Sequence, residues 1–331
     1  MSVTELMATA KAPTPDGEGG RRGVRIDRAF FATYGVYLAL ALLIVVNIVI
    51  TPYFVSIANL RLQLIQTTPV LIVALGMAMV IGTKGIDLSV GSVMALSAAI
   101  MPLYIGYGTV PAILIGVVAG AASGLLVGTL VSRFGLQPIV ATLAILIGGR
   151  GLANVIGGQI KNLSDPGLVA IGTGSLVGIP YSVLITALIL VIVAFLVRKT
   201  TFGRSLEAIG GNRRAAELAG VKIKRVLTTV YVVAAVLAAV AGVLAAARSQ
   251  ASDPRTLGQL MELSAIAAVV IGGTSLNGGR IRVLGTVAGA LLMQLISSTL
   301  VAHNIADSIA QMVQAVVIVA AVYLQLGRKR G

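Results

Sequence analysis

The chain has 331 residues, of which 57% are hydrophobic and only 11% are charged, whereas charged residues make up about a quarter of an ordinary soluble domain. This composition excludes a soluble globular protein and indicates an integral membrane protein. Cysteine is absent and His303 is the single histidine, which excludes a disulfide framework and a thiolate or multi-histidine metal site. The net charge is +14, but basic and aromatic residues do not alternate as they do on nucleic-acid-binding surfaces, so we expect no nucleic-acid partner.

The first 28 residues are polar and contain several prolines and glycines. Such a segment is too hydrophilic to pack a core, so residues 1–28 are predicted to be a disordered cytoplasmic tail. Residues 29–331 are predicted to form a single transmembrane domain, because the loops between the apolar stretches are mostly short. The one sizeable loop on the cytoplasmic side covers residues 198–225.

A helix that crosses about 30 Å of hydrocarbon needs about 20 residues. Ten apolar stretches approach this length, with the eighth one short: 33–55, 62–83, 87–106, 110–131, 136–157, 176–197, 226–247, 262–276, 283–301 and 308–326. The predicted fold class is therefore an all-α polytopic membrane protein with about ten transmembrane helices. With the N-terminus inside, twenty of the 25 lysines and arginines fall in cytoplasmic segments and four fall outside. Positive charge concentrates on the cytoplasmic side of membrane proteins, so both termini are predicted to be cytoplasmic.

The third span begins within Gly-Ile-Asp-Leu-Ser-Val-Gly-Ser, residues 85–92, which lie between strongly apolar stretches. A carboxylate in such surroundings needs a partner, a capping position or a water-filled cavity. We predict that one helix breaks here and that Asp87 or Ser89 caps the next one. A second interpretation, compatible with the first, is that the broken helix lines a solute path. The signature residues with candidate roles are Gly85, Asp87, Ser89, Gly91 and Ser92.

The fourth span carries glycines at every fourth position: Gly116, Gly120, Gly124 and Gly128. Such a small-residue ladder lets two helix backbones approach closely, so this span is predicted to be buried against a neighbouring helix.

Polar side chains inside the other spans are few, and several are spaced three or four residues apart on one helix face. Uncharged amides in such positions suit a neutral, hydroxylated solute, but they also serve as hydrogen bonds between helices. The sequence leaves both interpretations open for the candidate pathway residues: Gln63, Gln66, Arg150, Asn154, Gln294, Gln311 and Gln314.

In the cytoplasmic loop, Asn212 is a good N-cap, residues 213–219 can form two helical turns, and Gly220 suits the position after the helix. This short helix has too little apolar surface to be stable alone. It is predicted to lie against either anionic lipid or a groove on a cytoplasmic partner.

The chain lacks the Gly-x-x-x-x-Gly-Lys-[Ser/Thr] sequence of a phosphate-binding loop, so any ATPase must be a separate subunit. Ser275 and His303 lack a convincing third member of a hydrolase site, and we expect no enzyme activity. The residues thus indicate a solute transporter without its own motor. The alternatives are an ion-coupled carrier that uses Asp87 as its titrating group, and a passive channel.

Two motifs resemble those of the ribose-type sugar permeases of ABC importers, and the similarity covers residues 70–326: the signature at 85–92 and Gly-x-Asn-x-x-Ala-Ala-x-x-x-Gly at 210–220. The resemblance implies a permease subunit that moves a monosaccharide across the bacterial inner membrane. It also implies a second permease chain, a cytoplasmic ATPase that holds ATP and Mg, and a periplasmic sugar-binding protein that sets most of the specificity. This chain itself is expected to bind no cofactor, and the identity of the sugar stays open.

In that family the cytoplasmic loop contacts the ATPase. The residues that the resemblance assigns to this coupling are Gly203, Glu207, Gly210, Asn212, Arg213, Ala215, Ala216, Glu217 and Gly220. One departure from the family pattern is Thr83-Lys84, where relatives often carry small residues, and it brings a cation close to Asp87.

Overall fold

The structure, a computed structural model, describes residues 28–326, so the predicted tail lies outside the described residues except for Arg28. The apolar stretches form helices because an α-helix satisfies the hydrogen bonds of its own backbone, as the interior of a membrane requires. They are α1 (Arg28–Ile50), α2 (Ile57–Gly82), α3 (Val90–Ile100), α4 (Thr109–Ser132), α5 (Pro138–Gly157), α6 (Pro166–Thr173), α7 (Tyr181–Lys199), α8 (Thr201–Gly211), α9 (Arg213–Leu218), α10 (Ile223–Ser249), α11 (Met261–Ile271), α12 (Val283–Ala302) and α13 (Asp307–Leu326).

Two short antiparallel ribbons connect the helices. In one, β1 (Lys161–Asn162) pairs with β4 (Ala251–Ser252), and in the other, β2 (Ser175–Leu176) pairs with β3 (Ile179–Pro180). Next to β1, the Asp165 carboxylate caps α6 by accepting a hydrogen bond from the Leu168 amide. The Thr109 hydroxyl donates to the same oxygen at 2.6 Å, and this hydrogen bond, followed by that of the amide, lowers the pKa of Asp165.

Within the described residues, seven helices are long and apolar enough to cross a membrane, counting α3 together with the 3₁₀ turn that follows it. The apolar stretches Tyr34–Ile50 and Met261–Ile271 are shorter. The prediction of an all-α polytopic membrane protein is therefore confirmed, and each of the ten predicted spans overlaps one of the helices.

The third span is not one continuous α-helix, which the sequence prediction missed. After Ile100 the chain continues as a 3₁₀ helix, Met101–Tyr107. Pro102 has no amide hydrogen for the carbonyl of Ala98, four residues earlier, and its ring clashes with an α-helical carbonyl there. The freed Ala98 oxygen accepts a hydrogen bond of 2.7 Å from the Ser252 hydroxyl, which ties the third span to the β1–β4 ribbon.

The eighth span was predicted too long. Helix α11 ends at Ile271 rather than at residue 276, because Gly272 and Gly273 follow and Gly273 adopts a φ of +86°. A left-handed residue ends an α-helix, and the loop 272–282 then leads into α12.

Helix α2 forms the centre of the molecule. Its inner two thirds, from Thr67 to Gly82, are buried apart from Val70, because α7, α10, α11 and α12 pack around it. A helix that is apolar on every side and buried on every side is the expected core of a bundle.

The four glycines of α4 are all buried, and three of them face α10. A Cβ atom on Gly124 would lie 2.7 Å from the carbonyl oxygen of Tyr231 and 2.8 Å from the Cα atom of Val232. The predicted close approach of helix backbones is confirmed, and it joins α4 to α10.

We expect Gly124→Ala to lower the stability of the protein, because the added methyl group meets backbone atoms of α10 that have no room to move aside. Overpacking of this kind costs about 1–3 kcal/mol. The measurement is the thermal unfolding midpoint of the purified protein in detergent. Gly148→Ala is the matched control, since a Cβ atom there meets nothing within 4 Å, and an equal midpoint for the two variants would contradict the close approach.

Candidate functional site

The signature residues span the turn between α2 and α3 and the first residues of α3. Asp87 is 1% exposed, and its Oδ1 atom accepts hydrogen bonds from the Ser89 amide at 2.9 Å and the Ser89 hydroxyl at 2.6 Å. Ser89 occupies the N-cap position of α3, but its own side chain makes no capping hydrogen bond to the helix. The carboxylate of Asp87 therefore forms an Asx turn with Ser89 immediately before α3, whereas the predicted side-chain cap of the helix itself is not observed.

Lys84 does not pair with Asp87 in the described part of the chain. Its φ is +65°, and its ammonium group points toward α8, where it donates to the carbonyl of Gly211 at 3.4 Å. The extra cation of this sequence thus joins the signature turn to the loop 198–225.

Three other signature residues each bring the turn against a different helix. A Cβ atom on Gly85 would lie 2.6 Å from the hydroxyl of Tyr231 in α10. The Ser92 hydroxyl lies 3.1 Å from the carbonyl of Ile145 in α5. A Cβ atom on Gly91 would lie 2.5 Å from Glu262 Oε2 in α11. Small side chains at these positions are thus required by packing.

Arg150 holds a loop rather than facing an open path. Its guanidinium donates to the carbonyls of Pro254, Leu257 and Gly258 at 3.2, 2.6 and 3.1 Å. These carbonyls belong to the segment between β4 and α11, so Arg150 fixes the entry to α11. Asn154, one turn further along α5, has a buried side-chain oxygen without a hydrogen-bond partner among the described residues.

The glutamines of α2 and α12 are brought together. Gln66 Oε1 accepts a hydrogen bond of 2.8 Å from Gln294 Nε2 and lies 3.3 Å from the hydroxyl of Ser298. Gln63, one turn from Gln66, lines the same cavity as these two residues. On α13, Gln314 donates to the Ser297 hydroxyl at 2.6 Å. Gln311, by contrast, lies on an exposed face and does not line this cavity.

The capping predictions for the cytoplasmic loop are confirmed, although α9 ends one residue earlier than predicted. Asn212 Oδ1 accepts a hydrogen bond of 3.1 Å from the Ala215 amide. After the helix, Gly220 adopts a φ of +81°. Its amide donates to the Glu217 carbonyl and the Val221 amide donates to the Ala216 carbonyl, which is the Schellman pattern.

Sequence reasoning missed α8, the other half of this loop. Thr200 caps its start by accepting a hydrogen bond from the Gly203 amide at 3.4 Å. Its far end, at Gly210, lies directly against the carbonyl of Gly82 and the amide of Gly279. The threonine followed by an amphipathic run was the available signal.

The end of α2, the end of α8 and the loop 272–282 meet at this point. The Gly279 amide donates to the Gly82 carbonyl at 2.9 Å, and Glu207 Oε1 accepts a hydrogen bond of 2.9 Å from the Ile281 amide. Helix α8 is therefore held against the end of α2 and against the loop 272–282. The last turn of α2, which α8 contacts here, immediately precedes the signature turn.

Helix α9 is largely exposed. Only Ala216 is buried, in a small cluster with Ile209, Ile223 and Leu227, while Leu218 is 76% exposed. The hairpin of α8 and α9 thus shares a small core with the start of α10 and has an exposed outer face.

The candidate hydrolase pair is not a site. Ser275 precedes α12 and His303 follows it, and a helix of 20 residues separates its two ends by about 30 Å.

The family described as branched-chain amino acid transport system / permease component matches residues 59–322. The chain belongs to this permease family. It is 38% identical over 302 residues to the galactofuranose transporter permease protein YtfT of Escherichia coli (strain K12), which covers 88% of this chain and 89% of that protein. It is also 38% identical to the ribose import permease protein RbsC of Bacillus subtilis (strain 168), over 88% of this chain and 91% of that protein. The fructose import permease protein FruF of Bifidobacterium longum (strain NCC 2705) is 42% identical over 70% of this permease and 67% of its own length. No solved structure is a significant match to the chain.

We expect Asp87→Asn to keep the stability of this permease, because the amide oxygen can still accept the two hydrogen bonds from Ser89. Asp87→Ala leaves both donors buried without a partner, which costs about 1–3 kcal/mol. The measurement is the thermal unfolding midpoint of each purified variant. Equal loss of stability in both variants would show that the negative charge, and not the Asx turn, holds the start of α3.

Proposed function

We propose that this chain is the membrane subunit of an importer that carries a monosaccharide across the bacterial inner membrane and is driven by a separate ATPase. Sugar importers recur among its relatives at 35–42% identity. Because the sequence has no phosphate-binding loop, ATP and Mg belong to the partner ATPase, and this chain binds no cofactor. A periplasmic sugar-binding protein supplies the solute from the other side.

The observation that carries the proposal is the α8–α9 hairpin. Its outer face is free, as Leu218 shows, and its inner end is in backbone contact with Gly82 at the end of α2. A partner that moves this hairpin acts on α2 and on the signature turn without an intervening flexible linker. The ATPase-coupling residues proposed from the family resemblance, such as Gly203, Glu207 and Gly210, lie on α8, the part of the hairpin that makes this contact.

The same geometry separates the coupling residues by task. Asn212 and Gly220 shape α9, and Ala216 packs inside the hairpin. Ala215, Glu217 and Arg213 are exposed beside Leu218, so these are the side chains available to a docking groove.

We further propose ten membrane spans with both termini in the cytoplasm. The ten are α1, α2, α3 with its 3₁₀ turn, α4, α5, α7, α10, α11, α12 and α13. The positive-charge asymmetry of the sequence supports this orientation. It puts α8 and α9 inside the cell and the β2–β3 ribbon outside. A second permease chain completes the pathway.

The first test uses vesicles that contain the permease, its ATPase and its binding protein. Uptake of a monosaccharide is expected to require ATP, to stop with vanadate and to continue with an uncoupler. Uptake that the uncoupler abolishes at constant ATP would instead support the ion-coupled carrier.

In the same complex, Leu218→Ser is expected to reduce co-purification of the ATPase. Burying a leucine contributes about 1.5–3 kcal/mol, so the loss corresponds to roughly tenfold or more in the dissociation constant. Leu176→Ser is the matched control, because Leu176 is also an exposed leucine, at 56%, but lies on the β2–β3 ribbon. Full ATPase retention in Leu218→Ser would argue against docking at α9.

The orientation can be tested with single cysteines, because the chain has none of its own. Ser175 and Ala219 are both exposed, on the β2–β3 ribbon and at the end of α9. A membrane-impermeant maleimide added to intact cells without an outer membrane is expected to label Ser175→Cys alone. Ala219→Cys should react only after the membrane is permeabilised, and labelling of both in intact cells would refute the proposed orientation.

A further inference from the structure

A cavity of about 270 Å³ lies between α1, α2 and α12, close to the lower limit of about 300 Å³ for small-molecule pockets. Most side chains that line it are amides or hydroxyls, among them Asn47, Asn59, Gln63, Ser298 and Thr299, and none of the described residues that line it is charged. A polar cavity among membrane helices is costly unless its groups find partners. Its chemistry fits a ligand that offers hydroxyl groups and carries no charge.

Gln63 supplies a second observation that points to a ligand. Its Oε1 atom is buried and has no hydrogen-bond partner in the described part of the chain. The neighbouring polar groups are occupied with one another: Thr299 donates to Asn47 Oδ1 at 2.9 Å, and Gln294 donates to Ser298 at 3.0 Å. Buried polar atoms nearly always have partners, and this acceptor is free to take a hydrogen bond from a solute hydroxyl.

The cavity also has a neighbour through which a solute can reach it. A larger cavity of about 610 Å³ is lined by Gln66, Gln294, Arg248 and Asp253 among others. Gln66 and Gln294 line both cavities, and their hydrogen bond lies where the two meet. A hydroxylated solute can replace this amide–amide hydrogen bond with hydrogen bonds of its own, since each amide both donates and accepts.

We propose that the cavity between α1, α2 and α12 is a binding site for a neutral sugar, with Gln63 as an unpaired acceptor for a sugar hydroxyl and Gln66 and Gln294 at its entrance. The proposal rests on the proposed function and adds to it the place and the chemistry of solute contact. It also separates two classes of solute. An amino acid carries an ammonium and a carboxylate, and both need charged or strongly polarised partners when they leave water, so this site rejects leucine.

The test uses Ser298→Cys as a reporter inside the cavity, in the complete complex reconstituted without ATP. A small uncharged thiol reagent modifies the cysteine, and ribose, fructose and L-arabinose are tried as protecting solutes, with leucine at the same concentrations. The sugar that the parent complex transports is expected to slow the modification, and leucine is expected to have no effect. Ser175→Cys, on the β2–β3 ribbon, is the control reporter, and no solute should protect it.

Gln63→Leu in the reporter background tests the acceptor directly. Loss of one neutral hydrogen bond is expected to raise the half-protecting sugar concentration about threefold to tenfold. Gln259→Leu, the same change at an exposed loop residue outside both cavities, should leave it unchanged. The modification rate without sugar reports whether each variant keeps its fold, because a collapsed or opened cavity changes that rate.

The outcomes separate the two proposals. A parent complex that carries no monosaccharide of a wide panel, with galactofuranose included beside these three, overturns the proposed function, and the site with it. A complex that carries one of them while Ser298→Cys stays unprotected, or is protected equally by leucine, overturns the site and leaves the function standing. An unchanged half-protecting concentration in Gln63→Leu overturns the role of Gln63.

Discussion

The structure depends on backbone contact at the end of α2. The carbonyl of Gly82 accepts a hydrogen bond from the Gly279 amide, and Gly210 lies directly against the same carbonyl. A helix end buried in a membrane protein must satisfy its last carbonyls without water, and here another segment of chain does so. Since any side chain at Gly210 would displace that segment, the requirement to satisfy one carbonyl also fixes α8 to the membrane helices.

The signature turn solves the same problem at the start of α3. Its backbone leaves α2 at Gly82 and re-enters a helix at Val90, so several amides lie between helices without a regular partner. Asp87 accepts hydrogen bonds from the Ser89 amide and hydroxyl. These two bonds offset the cost of burying the carboxylate and fix the backbone immediately before α3. Gly85 and Gly91 then allow α10 and α11 to approach. The motif thus combines the break between two helices, the Asx turn of Asp87 and two close contacts with neighbouring helices.

The extent to which the sequence predicts this fold follows from the range of each interaction. Long apolar runs and local caps depend on neighbouring residues, and so the long apolar helices and the Asn212 and Gly220 caps of α9 could be predicted, whereas the amphipathic α8 was missed. Two contacts join residues that are far apart in the chain: Gly210 with Gly82, and Arg150 with the loop before α11. Such contacts cannot be predicted from composition or from neighbouring residues. Pro102 was a local signal for the change from α to 3₁₀ helix, but its consequence involves Ser252, which only the fold brings near.

Two charged groups among the membrane helices, Asp87 and Arg150, are engaged in structural hydrogen bonds. A proton- or cation-driven carrier needs an ionisable group that changes partners during transport. Asp87 is committed to the Ser89 turn, and Arg150 is committed to three loop carbonyls; both interactions start helices. This use of both groups argues against the ion-coupled carrier, and it agrees with the sugar import permeases among the relatives of this chain.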